Sequence, residues 1–273
     1  MYFITISEML GTNGEKIARE VAKSLNYSFF GEGELLNAAE EMGFPPGSWR
    51  PDEKGPAFFE SFFSQRPKIY LDRLQSVILE LAKKGNSVFF GKGSQLLLQS
   101  FDCALHILVT GSMGKRVQRV MEEKRVEKEV AEKMTHRSDH DKRGFFRFAF
   151  DEDWLNPQLY DLILNTDKLS IGSAVKIIVD AAKSDEIKAC GIDSMKSLGK
   201  LSLHRRIEAA FLESGLSGYH LFFTIEDEGS VRLSGVVDSS EEKERIEKIM
   251  KGIKGVENLI NNLNVVKPSM GGV

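Results

Sequence analysis

Residues 2–18, YFITISEMLGTNGEKIA, place a short apolar strand, a Gly11-Thr12-Asn13-Gly14 turn and the start of a helix in immediate succession. That layout suits a phosphate. Successive backbone N–H groups converge on the anion, the following helix presents its positive end, and glycines allow close approach. The common form of such a loop is G-x-x-x-x-G-K-[ST], with the lysine on the outer phosphates and the hydroxyl on Mg2+. With Gly14 on the second glycine, Met9 falls at the first, Glu15 at the lysine and Lys16 at the hydroxyl. The context fits and those three side chains do not. A phosphate at Gly11, Thr12, Asn13, Gly14 and Lys16 would need its positive charge from Lys16 or from a basic residue on another segment. Glu15 would steady the helix N-terminus and would repel a phosphate unless its side chain points away. A tight strand-to-helix turn with no ligand is the plain alternative.

A second concentration of chemistry lies between Lys115 and Phe148. This charged helical stretch carries Arg116, Arg119, Lys124, Arg125, Arg137, Lys142, Arg143 and Arg147. Alone it reads as a pair of solvated helices of mixed charge. It directly follows the apolar run ALHILV (104–109), however, at the end of a strand where ligands of open α/β sheets sit. His136 and His140 are spaced as one helix face but lack a third ligand beyond Asp139, so no metal site is expected.

The elements that must position these residues alternate. YFITIS (2–7), YSFF (27–30), SVFFG (87–91), ALHILV and YDLILN (160–165) read as strands, the last two as central ones buried on both faces. Helical spacing covers 14–25 through Ile17, Val21, Ala22 and Leu25, and further helices are expected over 70–84 and 173–183. Residues 43–56 are interrupted by Pro and Gly too often to form one element. A doubly wound α/β domain over 1–184 follows, with helices on both faces of a parallel sheet. Polar residues 185–200 suit a linker. The pattern then becomes helix (203–214), two alternating strands (219–227, 230–239), helix (241–253) and strand (256–266), a small α+β domain over 201–268.

A net charge of −3 gives no reason to expect sequence-independent nucleic-acid binding. Cys103 and Cys190 match no metal spacing and are expected as isolated buried thiols. The chain opens without a signal-like segment and has no run long enough to span a bilayer, so a cytoplasmic protein is the default expectation.

Several ordered pieces resemble the cytidylate-kinase-like family of P-loop nucleoside monophosphate kinases. ISEMLGTNGEKIA (6–18) is similar to the family's I-S-R-E-x-G-S-G-G-R-E-I-A, and GNSVFFGKGS (85–94) to its G-N-x-V-I-x-G-R-G-A. LVTGSMGKRVQRVM (108–121) is similar to V-x-x-x-A-P-x-x-x-R-x-x-R-V-M. DHDKRGFF, DEDW (151–154) and YDLILNT (160–166) resemble D-x-x-R-x-x-F, D-W and Y-D-L-I-x-N-T. The family's loop carries arginine where lysine is usual; here that position is Glu15, and the earlier S-R-E becomes Ser7-Glu8-Met9. The resemblance implies a P-loop kinase-like fold, ATP with Mg2+, and phosphoryl transfer to a nucleoside monophosphate such as CMP. It implies that loop 11–16 holds the donor phosphates and that Arg116, Arg119 and Arg143 close over them as a lid. It puts Lys92 on the acceptor side and lets Asp139 orient a lid arginine or contact metal through water. Residues that would read the base fall within 31–68.

VRLSGVVDS (231–239), EEKERIEKI and GVENLINNLNV (255–265) resemble a BON domain, a family linked with membrane, lipid or protein partners. Two readings stay open. One is an active kinase carrying a BON module. The other is a catalytically inactive kinase-like sensor or scaffold whose BON domain provides the output.

Overall fold

Strands β1 (Phe3–Glu8), β2 (Ser28–Phe30), β3 (Ser87–Phe90), β4 (Ala104–Thr110) and β5 (Leu162–Asn165) form a five-stranded parallel sheet in the order β2-β3-β1-β4-β5. The computed structural model describes residues 3–44, 67–184, 192–216, 220–227 and 229–266. Parallel pairing needs crossovers, which α1 (Gly14–Leu25), α2 (Glu32–Glu41), α3 (Pro67–Ala82), α4 (Ser94–Leu97), α5 (Met113–Lys124) and α6 (Lys128–Phe150) provide; α7 (Ile171–Ala182) follows β5. From β1 the chain first builds outward to β2 and β3, then returns to its other side for β4 and β5. Ligands of open α/β sheets sit at such a reversal, which here lies at the carboxyl ends of β1 and β4.

The period-two alternation of β1 sends Ile4 and Ile6 to one face, where they join Ile17 and Val21 of α1 and Ala174 and Ile178 of α7 in one core. Burial of these side chains stabilises the sheet by about 1.5–3 kcal/mol for each large one. The other face is partly polar. Phe3 meets Phe101 edge-on, and the Thr5 hydroxyl lies 2.8 Å from His106 Nδ1. Nearer the strand ends Ser7 Oγ donates to Gln95 Oε1 at 3.3 Å, and Gln95 Nε2 donates to the Tyr160 hydroxyl at 3.1 Å. That hydroxyl donates to the Trp154 carbonyl at 2.6 Å, and burial pushes its pKa up to about 12.

Several expectations need correction. YDLILN does not form a central strand: β5 is an edge of the sheet, paired only through β4, and its Ile163 side chain is exposed. The helix expected over 70–84 begins earlier, at Pro67, where proline's fixed φ suits a first turn. Cys103 is disulfide-bonded rather than a free thiol, and Cys190 lies outside the described residues. The linker expected over 185–200 is helical from Ile192, the start of α8 (Ile192–Glu213).

After α8 come β6 (Leu221–Asp227), β7 (Ser230–Val237), α9 (Ser240–Gly252) and β8 (Asn258–Val265). Their sheet runs β6-β7-β8, the first pair antiparallel and the second parallel. Leu203, Ile207 and Phe211 of α8 and Ile246 and Met250 of α9 cover one face through Val231, Leu233 and Leu263. Phe222 and Val236 remain exposed.

Among the described residues, 38–44 and 67–80 group with the chain from Met195 onward as one compact unit, and the earlier and intervening segments form the other. Polar contacts of α3 with α8 account for this. Ser202 Oγ donates to the Ser76 carbonyl at 2.9 Å, Arg206 lies 3.7 Å from Glu80, Arg205 lies 3.7 Å from Asp72, and Arg73 pairs with Glu213.

Burial pushes the Asp72 carboxyl from 3.8 up to about 6, against the pull of Arg205. The folded chain therefore binds this proton more readily than the unfolded chain, so stability contributed here falls as pH rises from 3.8 to about 6. Asp72→Asn is expected to remove roughly 3 kcal/mol of that fall, read as a flatter plot of urea-unfolding free energy against pH. An unchanged slope contradicts the assignment.

Candidate functional site

The turn after β1 is fixed from both sides. Met9 N–H donates to the Val109 carbonyl at 3.0 Å, and Thr12 Oγ1 donates to the Met9 carbonyl at 2.8 Å. Gly11 (φ +86) and Asn13 (φ 61) are left-handed. A Cβ on Gly11 would come 2.4 Å from the Arg116 carbonyl, so this glycine serves the close packing of α5 on the loop.

At the helix N-terminus the anion seat is filled by the protein itself. Glu8, the last residue of β1, accepts from Gly14 N–H at 2.7 Å through one carboxylate oxygen, which also lies 3.3 Å from Thr12 Oγ1. A Cβ on Gly14 would meet the Glu8 Cβ at 2.5 Å and that oxygen at 2.7 Å. A helix N-terminus offers such N–H donors to anions, and here the carboxylate takes one of them. Glu15, in contrast, points away: Arg19 Nη2 donates to it at 2.9 Å on the outer side of α1, and its side chain is half exposed.

The positive charge comes from Lys142 on α6. Its ammonium donates to the Glu8 main-chain carbonyl and lies 5.4 Å from the Trp154 ring centre. Burial raises the pKa of Glu8, an effect countered first by the charge of Lys142 and then by the Gly14 hydrogen bond. Burial likewise lowers the pKa of Lys142, countered by Glu8 and Asp139. Each thus helps the other stay charged.

Neither Glu8 nor Lys142 was among the expected site residues. For Lys142 a signal existed: the spacing D-x-x-R-x-x-F, started at Asp139 and ending at Phe145, puts the basic position on Lys142. Arg143, given a lid role from the resemblance, is one position further along α6 and its side chain is exposed. Lys16 also stays outside the cradle. Its ammonium donates to Asn13 Oδ1 at 3.3 Å, lies 3.4 Å from Glu123, and is 56% exposed.

Arg116 and Arg119 do reach the loop, as structural clamps. Arg116 is 1% exposed, donates to the Leu10 carbonyl at 2.9 Å, and forks onto both oxygens of Asp139 at 2.9 and 2.7 Å. Arg119 donates to the Thr166 hydroxyl at 3.0 Å and carbonyl, and to the Gly11 carbonyl at 3.4 Å. Thr166, at the end of YDLILNT, thereby ties β5 to the loop. Lys92, in a left-handed conformation after β3, pairs with Glu32 at 2.9 Å, and burial lowers its pKa.

The Gly14 N–H and Lys142 fit an anionic phosphate. A protein-held Mg2+ fits less well. Asp139 is committed to Arg116, Thr12 Oγ1 donates to a carbonyl, and no cluster of three His, Cys, Asp or Glu among the described residues could hold a metal. A metal here would be held through phosphate oxygens and water.

A β2-β3-β1-β4-β5 parallel sheet with a strand-turn-helix connection after β1 is the architecture of a P-loop kinase-like domain. Residues 3–168 match the cytidylate kinase-like family, and the chain belongs to that family. Residues 202–267 match the BON domain. A cytidylate kinase of Pyrobaculum islandicum is 26% identical over 183 residues, covering 66% of this chain and 92% of the relative. One from Methanocaldococcus jannaschii is also 26% identical, over 184 residues, covering 65% and 96%. Among solved structures, an uncharacterized protein from Eubacterium ventriosum shares the fold with a TM-score of 0.54 at 18% identity, over 66% of this chain and 97% of that one.

Two substitutions separate the roles of the acids. Asp139→Ala leaves the buried Arg116 charge unmatched and is expected to cost about 3 kcal/mol in urea unfolding. Glu15→Ala breaks only an exposed pair and is expected to cost about 0.5 kcal/mol or less. Equal costs would contradict these placements.

Proposed function

We propose that the chain is a nucleotide-binding protein of the nucleoside monophosphate kinase type, with ATP at the loop and CMP as the acceptor. One observation carries the reading: a carboxylate already sits 2.7 Å from the Gly14 nitrogen beside the half-buried Lys142, which supports an anion at this loop. The family match and the two cytidylate kinase relatives support the nucleotide class. In this reading loop 11–16 receives the donor phosphates once Glu8 has moved. Lys142 then supplies the charge that the loop sequence lacks, and Lys92 faces the acceptor. Mg2+ travels with the triphosphate and neutralises its charge. Phosphoryl transfer asks the protein mainly for positioning and charge neutralisation. An acceptor phosphate oxygen attacks the terminal phosphorus of ATP, and ADP leaves with the electron pair of the broken bond.

A second reading, a catalytically inactive sensor or scaffold, is favoured by the same carboxylate and by the commitment of Arg116 and Arg119 to structural contacts. Its output would come from the BON domain through a membrane, lipid or protein partner. No helix among the described residues is long and apolar enough to cross a membrane.

A coupled assay with ATP·Mg2+ and a panel of nucleoside monophosphates, run beside calorimetric ATP binding on the full chain, separates the two. The kinase reading expects CMP turnover, with Lys142→Met lowering it roughly hundredfold. ATP binding without turnover on any monophosphate supports the second reading. An absence of binding at millimolar ATP overturns the nucleotide reading in both forms.

A further inference from the structure

Glu8 closes β1 and enters the turn directly ahead of α1. Its carboxylate is no bystander. It takes the Gly14 N–H at 2.7 Å and lies 3.3 Å from the Thr12 hydroxyl oxygen, while the main-chain carbonyl of the same residue receives Lys142 from α6. The donor at the helix N-terminus and the nearest lysine are therefore both engaged by one residue.

We propose that Glu8 is an autoinhibitory anion: its carboxylate occupies the phosphate seat at the Gly14 N–H, within the field of Lys142, and must be displaced before a nucleotide phosphate can bind. This inference rests on the nucleotide reading above and adds its regulation. The exchange is close to charge-neutral for the loop, because an incoming phosphate oxygen takes over both the Gly14 N–H and the attraction of Lys142. What the ligand must supply is the free energy to move the carboxylate off the Gly14 N–H. A ligand able to bridge Gly14 and Lys142 at once recovers most of that cost, which favours a polyphosphate over a single small anion. The geometry also makes the autoinhibition local. Glu15, the other acid of the loop, is turned to Arg19 on the outer side of α1 and takes no part.

The test is calorimetric titration of the full-length wild type, Glu8→Gln, Glu8→Ala and Glu15→Gln with ATP and, separately, with inorganic triphosphate. Glu8→Gln keeps the shape and removes the charge, so it preserves the experiment if Glu8→Ala fails to fold, as thermal melting would show. Glu15→Gln makes the same change of net charge outside the seat. The expected result is at least a tenfold gain in affinity for both ligands in the Glu8 variants, with Glu15→Gln within about twofold of wild type. Equal affinity in wild type and the Glu8 variants overturns autoinhibition while leaving the nucleotide reading intact. An equal gain in Glu15→Gln also overturns it, by reducing the effect to net charge. Absence of binding in every variant instead overturns the nucleotide reading itself and the inference with it.

Discussion

The hydrogen bond from Gly14 N–H to the Glu8 carboxylate organises everything around it. The first N–H groups of a helix have no partners within it, and at α1 one of them is satisfied by the last side chain of the preceding strand. That contact brings the carboxylate under the helix end, where burial makes its charge costly unless a cation stands near. Lys142 is that cation. Its reach to Glu8 fixes α6 against the loop, and Arg116 does the same for α5 by donating to Leu10 and forking onto Asp139. The turn after β1, helices α5 and α6 and the charge balance are thus one construction.

Much of this could be followed from periodicity. On α1, Gly14, Ile17, Ala18, Val21 and Ala22 are buried, so the intervening Glu15 and Arg19 share the outer face one turn apart. The helical phase alone directs Glu15 outward. On β1 the alternation that buries Ile4 and Ile6 toward α1 continues to Glu8, which places its side chain beneath the first turn of that helix. The motif register instead drew attention to Glu15, because it compares positions with a common loop and ignores which face each side chain takes. Lys142 was hidden for another reason. Lys142 and Arg143 are neighbours of like charge on a helix, and only the angular step between them decides that one reaches the loop and the other meets solvent.

What was not legible depends on contacts between distant segments. YDLILN is apolar enough for a central strand, yet β5 is an edge, because strand order follows from chain reversal rather than from composition. The polar stretch before α8 looked like a linker, but its later part is helical, and α8 gains partners on α3 through Ser76, Asp72 and Glu80. Those partners lie more than a hundred residues earlier in sequence, and nothing in a local window announces them. The parts of 31–68 expected to read a base fall largely in 45–66, outside the described residues.

The claim on which the account turns is that the Gly14 amide is the anion donor of this loop. Amide NMR of the full chain, followed during titration with ATP, tests it directly. The account predicts that the Gly14 N–H signal moves to a new position as ATP saturates the protein, because its acceptor changes from carboxylate to phosphate. ATP binding that shifts other amides while leaving Gly14 in place would contradict it.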